Sequence, residues 1–429
     1  MDEHFTDLLI RIRPWSESAG AYPVEAALDD GAAFQGGRLR LDWERLRAAE
    51  LDAAAYGAEL FYALFDGPIR RAYDKATDRA EAASEGRLRV RLWIDPEAAE
   101  LHAVPWERLY HTSRGVETAL ASSALTPFSR YTGLEIPEPA PFDQRPIRLL
   151  VAIANPTDLA RFNLSAIAVE GEVRSLVAAL QSALRRGQVA ATVLPGRTGL
   201  SEKVRRELAQ AGVEVVAGPA TLDAIVRHLP GCQALHLVSH GALHRERSQG
   251  EAAGALFLEQ PGGGVDLVKD TEIVEKLAGL APLPHLVFLA ACESAARPAG
   301  AENAFVGIGP KLVRAGIPAV VAMQDLVSVV TARQLTADFY THLLDHGVVD
   351  LALNQARNLL WREAQAGWSV PVLFLRLRNG QLFVQPAGEA LAPPAATYTA
   401  ALIGDGAIAQ DHSTAAGAGG IAIGRIGRR

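Results

Sequence analysis

Between residues 147 and 386 the chain repeats one pattern: a short apolar run without alternation, a turn, then an amphipathic helix. The first run is 147–154, ended by Asn155-Pro156. Helical spacing follows at 170–184, where Val173, Leu176, Val177, Leu180 and Leu184 share a face. Further strands are predicted at 213–217, 234–239, 286–291 and 319–323, and helices at 221–229, 301–315, 331–344 and 349–365. Strands that read apolar throughout are buried on both faces, as parallel strands between helices are. The expected fold class is α/β, a doubly wound, mostly parallel sheet.

The 429 residues leave room for more than this unit. Residues 1–137 predict an N-terminal α/β lobe, with alternating strands at 8–12, 38–41 and 88–94. Leu51, Tyr56, Leu60, Leu64 and Phe65 recur at helical spacing between them. The stretch PEPAPFDQRP (137–146) has a linker's composition, so the expected divisions are 1–137, a linker at 138–146, and 147–386. Residues 387–429 form a low-complexity tail rich in Gly and Ala, in which GAIA (406–409) is echoed by GIAIG (420–424).

Composition removes several function classes. A net charge of −7, from 42 basic and 49 acidic side chains, gives no electrostatic reason for direct nucleic-acid binding. No apolar run reaches the ~18 residues of a membrane span. The acidic start, with Arg11 and Arg13 interrupting its apolar stretch, is unlike a secretory signal. Two cysteines make no disulfide framework, so a cytoplasmic setting is expected. There is no GxxxxGK[ST] and no GxGxxG between strand and helix, so nucleotide binding is disfavoured and no cofactor is expected; the lack of a GxSxG argues against a serine hydrolase. PGGGVD (261–266) follows a predicted strand at 255–259 and reads as a hairpin turn.

In an open parallel sheet, ligands sit beyond the carboxyl ends of the strands. Two polar positions stand there: ALHLVS ends at His240-Gly241, and HLVFLAA ends at Cys292-Glu293-Ser294. A thiol beside an imidazole suffices for nucleophilic catalysis, with the imidazole acting as base and then acid. The amides of Gly241 and Cys292 are candidate oxyanion donors. Each residue alone has a plainer reading, a buried cysteine and a hydrogen-bonded strand-end histidine. Their occurrence at matching strand ends favours catalysis. Cys232, before its strand, reads as structural, and His236, two pleats from His240, as a packed support. The spacing His236, His240, His244 suits a metal only on a helix, and this segment reads as strand and turn, so no metal is expected.

These residues resemble the CHAT domain, a caspase-like peptidase module related to separase. The resemblance covers 147–384 and rests on ALHLVSHGA (234–242), GALFLEQPGGGVDLV (254–268), HLVFLAACESA (285–295), GPKLVRAGIPAVVAMQDLVS (309–328) and PVLFLRLRNGQLF (371–383). RVRLWID and LHAVPWERLY, within 89–110, resemble the segment that often precedes such a domain. The resemblance implies a caspase-like sheet, His240 as catalytic histidine, Cys292 as nucleophile, and an N-terminal lobe that is either a degenerate caspase-like half or a lobe packed against the peptidase. Ser239 stands where the family often has Gly, and Glu293 where many members have Arg or Gln. Ala290 replaces the Asp of basic-specific relatives, which moves attention to Gln324, Asp325 and Glu293 as substrate contacts. Asp325 has helix capping as its alternative role.

The function so implied is a cysteine endopeptidase acting on a protein substrate in a bacterial signalling or defence pathway. The alternative is a non-catalytic interaction module working through its tail. HRERSQGEAAG (244–254), SAARPAGAENA (294–304) and the tail are the candidate regulatory stretches, answering to an activator protein or to homo-oligomer formation, with ordinary surface loops and a plain low-complexity tail as the alternative.

Overall fold

Alternation builds the first strands. β1 (Thr6–Ile12) buries Leu8, Ile10 and Ile12, and β2 (Tyr22–Leu28) buries Val24, Ala26 and Leu28. With β3 (Ala33–Leu39) they form an antiparallel meander. Helix Gly67–Ala83 covers the buried face with Ile69, Ala72, Tyr73, Ala76 and Ala80, the i, i+3, i+4, i+7 and i+11 positions of one helical face. The computed structural model describes residues 5–113, 116–133, 137–245, 252–290, 304–325, 327–363, 365 and 367–385. Residues 1–384 make one compact unit.

The lobe continues through β4 (Leu88–Ile94), the hairpin β5 (Tyr110–Ser113) and β6 (Val116–Ala119), and β7 (Phe128–Tyr131). Then come β8 (Ile147–Ile153), β9 (Val189–Leu194), β10 (Glu214–Val215) and β11 (Ala234–Val238). A small antiparallel sheet follows, of β12 (His240–Arg245), β13 (Ala252–Glu259) and β14 (Val265–Lys269). The last strands are β15 (Leu286–Ala290), β16 (Ala319–Met323) and β17 (Pro371–Leu375). The predicted hairpin at PGGGVD joins β13 to β14. The strand predicted at 213–217 shrinks to the edge strand β10, whereas β2, β5, β6, β7, β9, β12 and β17 had no counterpart among the predicted strands.

Among the described residues, twelve strands form one sheet in the order β10-β9-β8-β11-β15-β16-β17-β7-β4-β1-β2-β3. Neighbours are parallel except at β16–β17, β1–β2 and β2–β3. The sheet is therefore α/β and mostly parallel, with its strand direction reversing at β16–β17. Helices cover both faces. Phe288 of β15 packs on Phe339 and Tyr340 of helix Val329–His346. On the opposite pleat, Phe374 of β17 lies so close to helix Ala304–Arg314 that a Cβ on Gly309 would stand 2.3 Å from its ring. Burying each such ring contributes about 1.5–3 kcal/mol.

Polar side chains of helix Val349–Arg362 join the lobe to the rest. Asp350, fully buried, accepts from Arg89 Nε at 2.7 Å. Asn354 Nδ2 donates to the carbonyls of Leu120, Ser123 and Thr126, and buried Arg357 donates to those of Ala121 and Pro371. Burial lowers the Arg357 pKa to about 10. The proline-rich stretch is pinned as well: Phe142 bridges to Phe383 and their rings pack at 5.4 Å.

Candidate active site

β11 lies beside β15 with Val238 opposite Ala290, and the Ser239 N–H donates to the Ala290 carbonyl at 3.2 Å. At His240 the chain leaves the large sheet and begins β12, with His240 opposite Phe257 and Gly241 opposite Leu256. His240 is 5% exposed, and its Nε2 stands 2.8 Å from the Ser165 carbonyl. A carbonyl only accepts, so Nε2 carries the proton and the neutral ring keeps its lone pair on Nδ1. Burial pulls the His240 pKa below the ordinary histidine value, and the Ser165 bond offsets part of that shift. The ring is thus held neutral, with one nitrogen committed and one basic. Cys292 and Glu293 lie outside the described residues, as do 246–251, 294–303 and the tail 387–429.

Ser165 went unnoticed in the sequence because it acts through its backbone, which every residue has. Its loop is laced to the small sheet. The Thr157 N–H donates to the Gly263 carbonyl at 2.9 Å, and Asp158 Oδ1 accepts from the Val265 N–H at 2.7 Å. Leu159 and Leu164 share a small apolar cluster with Phe257. Glu259, at the end of β13, is fully buried and accepts the backbone N–H groups of Asn155, Arg197 and Ala220. Its only trace in the sequence is an acid closing an apolar strand.

Beyond the carboxyl end of β16 opens a cavity of about 320 Å³. The lobe supplies one wall, through Trp43, Arg47, Glu50, Tyr56 and Arg108, and Gln324, Asp325 and Ser369 supply the other. Gln324 is 8% exposed and its amide is committed internally. Oε1 accepts from Arg130 at 2.9 Å, while Nε2 donates to Glu107 at 3.1 Å and to the Ser369 carbonyl at 2.8 Å. Arg130 grips both oxygens of buried Glu107, at 2.9 and 2.6 Å. Gln324 therefore shapes the floor of the cavity. Asp325, half-buried, lines the cavity, and the capping role falls to Ser328, which accepts from the Thr331 N–H at 3.1 Å.

His236 is buried against Phe288, and its Nδ1 is 3.2 Å from the Tyr340 hydroxyl. Burial lowers its pKa to about 3. It supports the packing of helix on sheet, not the His240 ring. Cys232 donates from Sγ to the His228 carbonyl at 3.4 Å, and burial pushes its thiol pKa up, away from a reactive thiolate. Among the described residues no group of three or more His, Cys, Asp or Glu is placed to hold a metal, and no helix is long and apolar enough to cross a membrane.

A family model described as the CHAT domain matches residues 54–402, reaching back into the lobe beyond the span that carried the resemblance in sequence. No curated protein matches the chain. Among solved structures, it is similar to the complex of pro- and mature domains of RgpB from Porphyromonas gingivalis. Identity there is 12% and the TM-score 0.40, over 76% of this chain and 72% of that one. A chain of the Saccharomyces cerevisiae separase–securin complex is similar at 13% identity and a TM-score of 0.35, over 75% of this chain and 18% of that one.

Proposed function

The chain belongs to the CHAT domain family, and from that premise we propose that it is a cysteine endopeptidase using Cys292 and His240. His240 Nδ1 takes the thiol proton, and the thiolate attacks the peptide carbonyl. The amides of Gly241 and Cys292 stabilise the oxyanion. As the tetrahedral intermediate collapses, His240 protonates the leaving amine. Water, deprotonated by the same ring, then hydrolyses the thioester. The chemistry calls for no cofactor or metal.

The observation that carries this reading is the register of β11 against β15. Val238 stands opposite Ala290, and His240 and Cys292 each follow two residues later in the sequence. The Ser165 bond, which leaves Nδ1 basic, supports the role given to His240. The cavity beside β16 receives a substrate side chain, with Asp325 favouring a basic one. Glu293 adds a second negative charge beside the nucleophile. The substrate is another protein, in the cytoplasm of a bacterium and in a signalling or defence pathway. An activator protein or a second copy of the chain acts through residues 387–429.

The test is cleavage of a diverse peptide library by the wild type and by Cys292→Ala. Cleavage lost in the mutant establishes the nucleophile and reports the residue preferred before the scissile bond. Equal cleavage by both proteins overturns the assignment.

A further inference from the structure

Glu259 is a fully buried carboxylate held by three backbone amides. Its Oε2 accepts from the N–H groups of Arg197, at 2.8 Å, and Ala220, at 2.9 Å, and its Oε1 from that of Asn155, at 3.0 Å. Room for it is built into the backbone. Gly196 has φ +68°, and a Cβ there would stand 2.3 Å from Glu259 Oε1 and 2.7 Å from the Ile153 carbonyl.

Asn155 passes the hold onward. Its Oδ1 accepts from the Ile167 N–H at 2.8 Å, two residues from Ser165, whose carbonyl takes the His240 Nε2 proton. The path also returns by the sheet, since His240 stands opposite Phe257, two residues before Glu259. Three hydrogen bonds, one strand pairing and the two short stretches of chain 165–167 and 257–259 thus close a ring through Glu259, Asn155, Ile167, Ser165 and His240. We propose that Glu259 is a positioning residue for His240. By fixing the Ser165 carbonyl it sets the tautomer and leaves Nδ1 as the base. This role rests on the reading of His240 as the catalytic histidine.

The experiment uses the full chain with ¹⁵N-labelled histidine, as wild type, Glu259→Gln and Asn155→Ala, the His240 signals being assigned by their loss in His240→Gln. Asn155→Ala cuts the link to Ile167 while leaving all three amide bonds to Glu259, so the test survives if Glu259→Gln does not fold. The wild type is expected to show a single Nε2–H tautomer titrating below the ordinary range. Each folded variant is expected to show mixed tautomers and a titration moved towards the ordinary value. The kcat for peptide cleavage should fall by about 10²-fold with KM little changed. Folded variants with lower Tm but a wild-type tautomer and titration would overturn the proposal and leave Glu259 as a purely structural clamp. The tautomer is read without turnover, so the NMR arm decides the positioning role whether or not the resting wild type cleaves peptide, and the peptidase reading is decided separately by the comparison with Cys292→Ala.

Discussion

His240 must be buried enough to be held and yet keep one nitrogen for chemistry. The Ser165 carbonyl meets both demands, and the depressed pKa that follows has a measurable consequence. A base with a lowered pKa stays unprotonated at lower pH, so the acid limb of kcat/KM should fall below the ordinary histidine value of about 6.5. A pH–rate profile with its acid limb above that value would contradict the burial argument. His236 makes a second prediction, on stability. Its folded pKa is about 3 against 6.5 when unfolded. Between those values the unfolded chain binds a proton that the folded one does not, so stability falls as pH falls, by up to about 1.4 kcal/mol per pH unit for one proton. In His236→Phe this slope should be shallower in urea titrations from pH 6.5 to 4, even though the Tyr340 hydroxyl loses its partner. At this scale the sequence exposed chemistry carried by side chains after apolar runs, His240 and Asp325 among them. It was silent about Ser165, because a carbonyl leaves no trace in residue type.

Among the elements, strands flanked by polar turns on an apolar background were readable, and β8, β11, β15 and β16 fall where the repeat pointed. β7 and β9 were not: FSRY places Arg130 inside a buried strand, and VAATVL mixes small residues with a threonine. Both are strands because of what they pair with, which no local pattern shows. Helix Ala304–Arg314 poses the converse case, since Gly309 looks like a weak point in a helix yet is where Phe374 packs. Gly309→Val gains helix propensity but collides with a ring that is 2% exposed and has nowhere to turn. The expected outcome is a loss of about 1–3 kcal/mol in denaturant unfolding, against a gain if the glycine were only a local defect.

For the whole molecule, composition suggested a lobe, a linker and a second unit, while the structure runs one sheet through both sides of the proline-rich stretch. The seam between β17 and β7 joins segments more than two hundred residues apart, and such pairing is invisible to any window of sequence. Buried Asp350, Asn354 and Arg357 read as the polar face of an ordinary helix until the lobe's carbonyls are placed against them. The strand order also decides what a proteolytic nick would do. A break between Arg245 and Ala252 yields a first fragment holding β1–β4, β7 and β8–β11 and a second holding β15, β16 and β17. In the sheet those three strands lie between β11 and β7, so the second fragment is flanked by the first on both sides. β12 and β13, one from each fragment, stay zipped from His240–Phe257 to Arg245–Ala252. Such a nick should give two bands on a denaturing gel but a single peak at the intact size in gel filtration. Processing of this chain would then produce an interleaved two-chain molecule and release neither half.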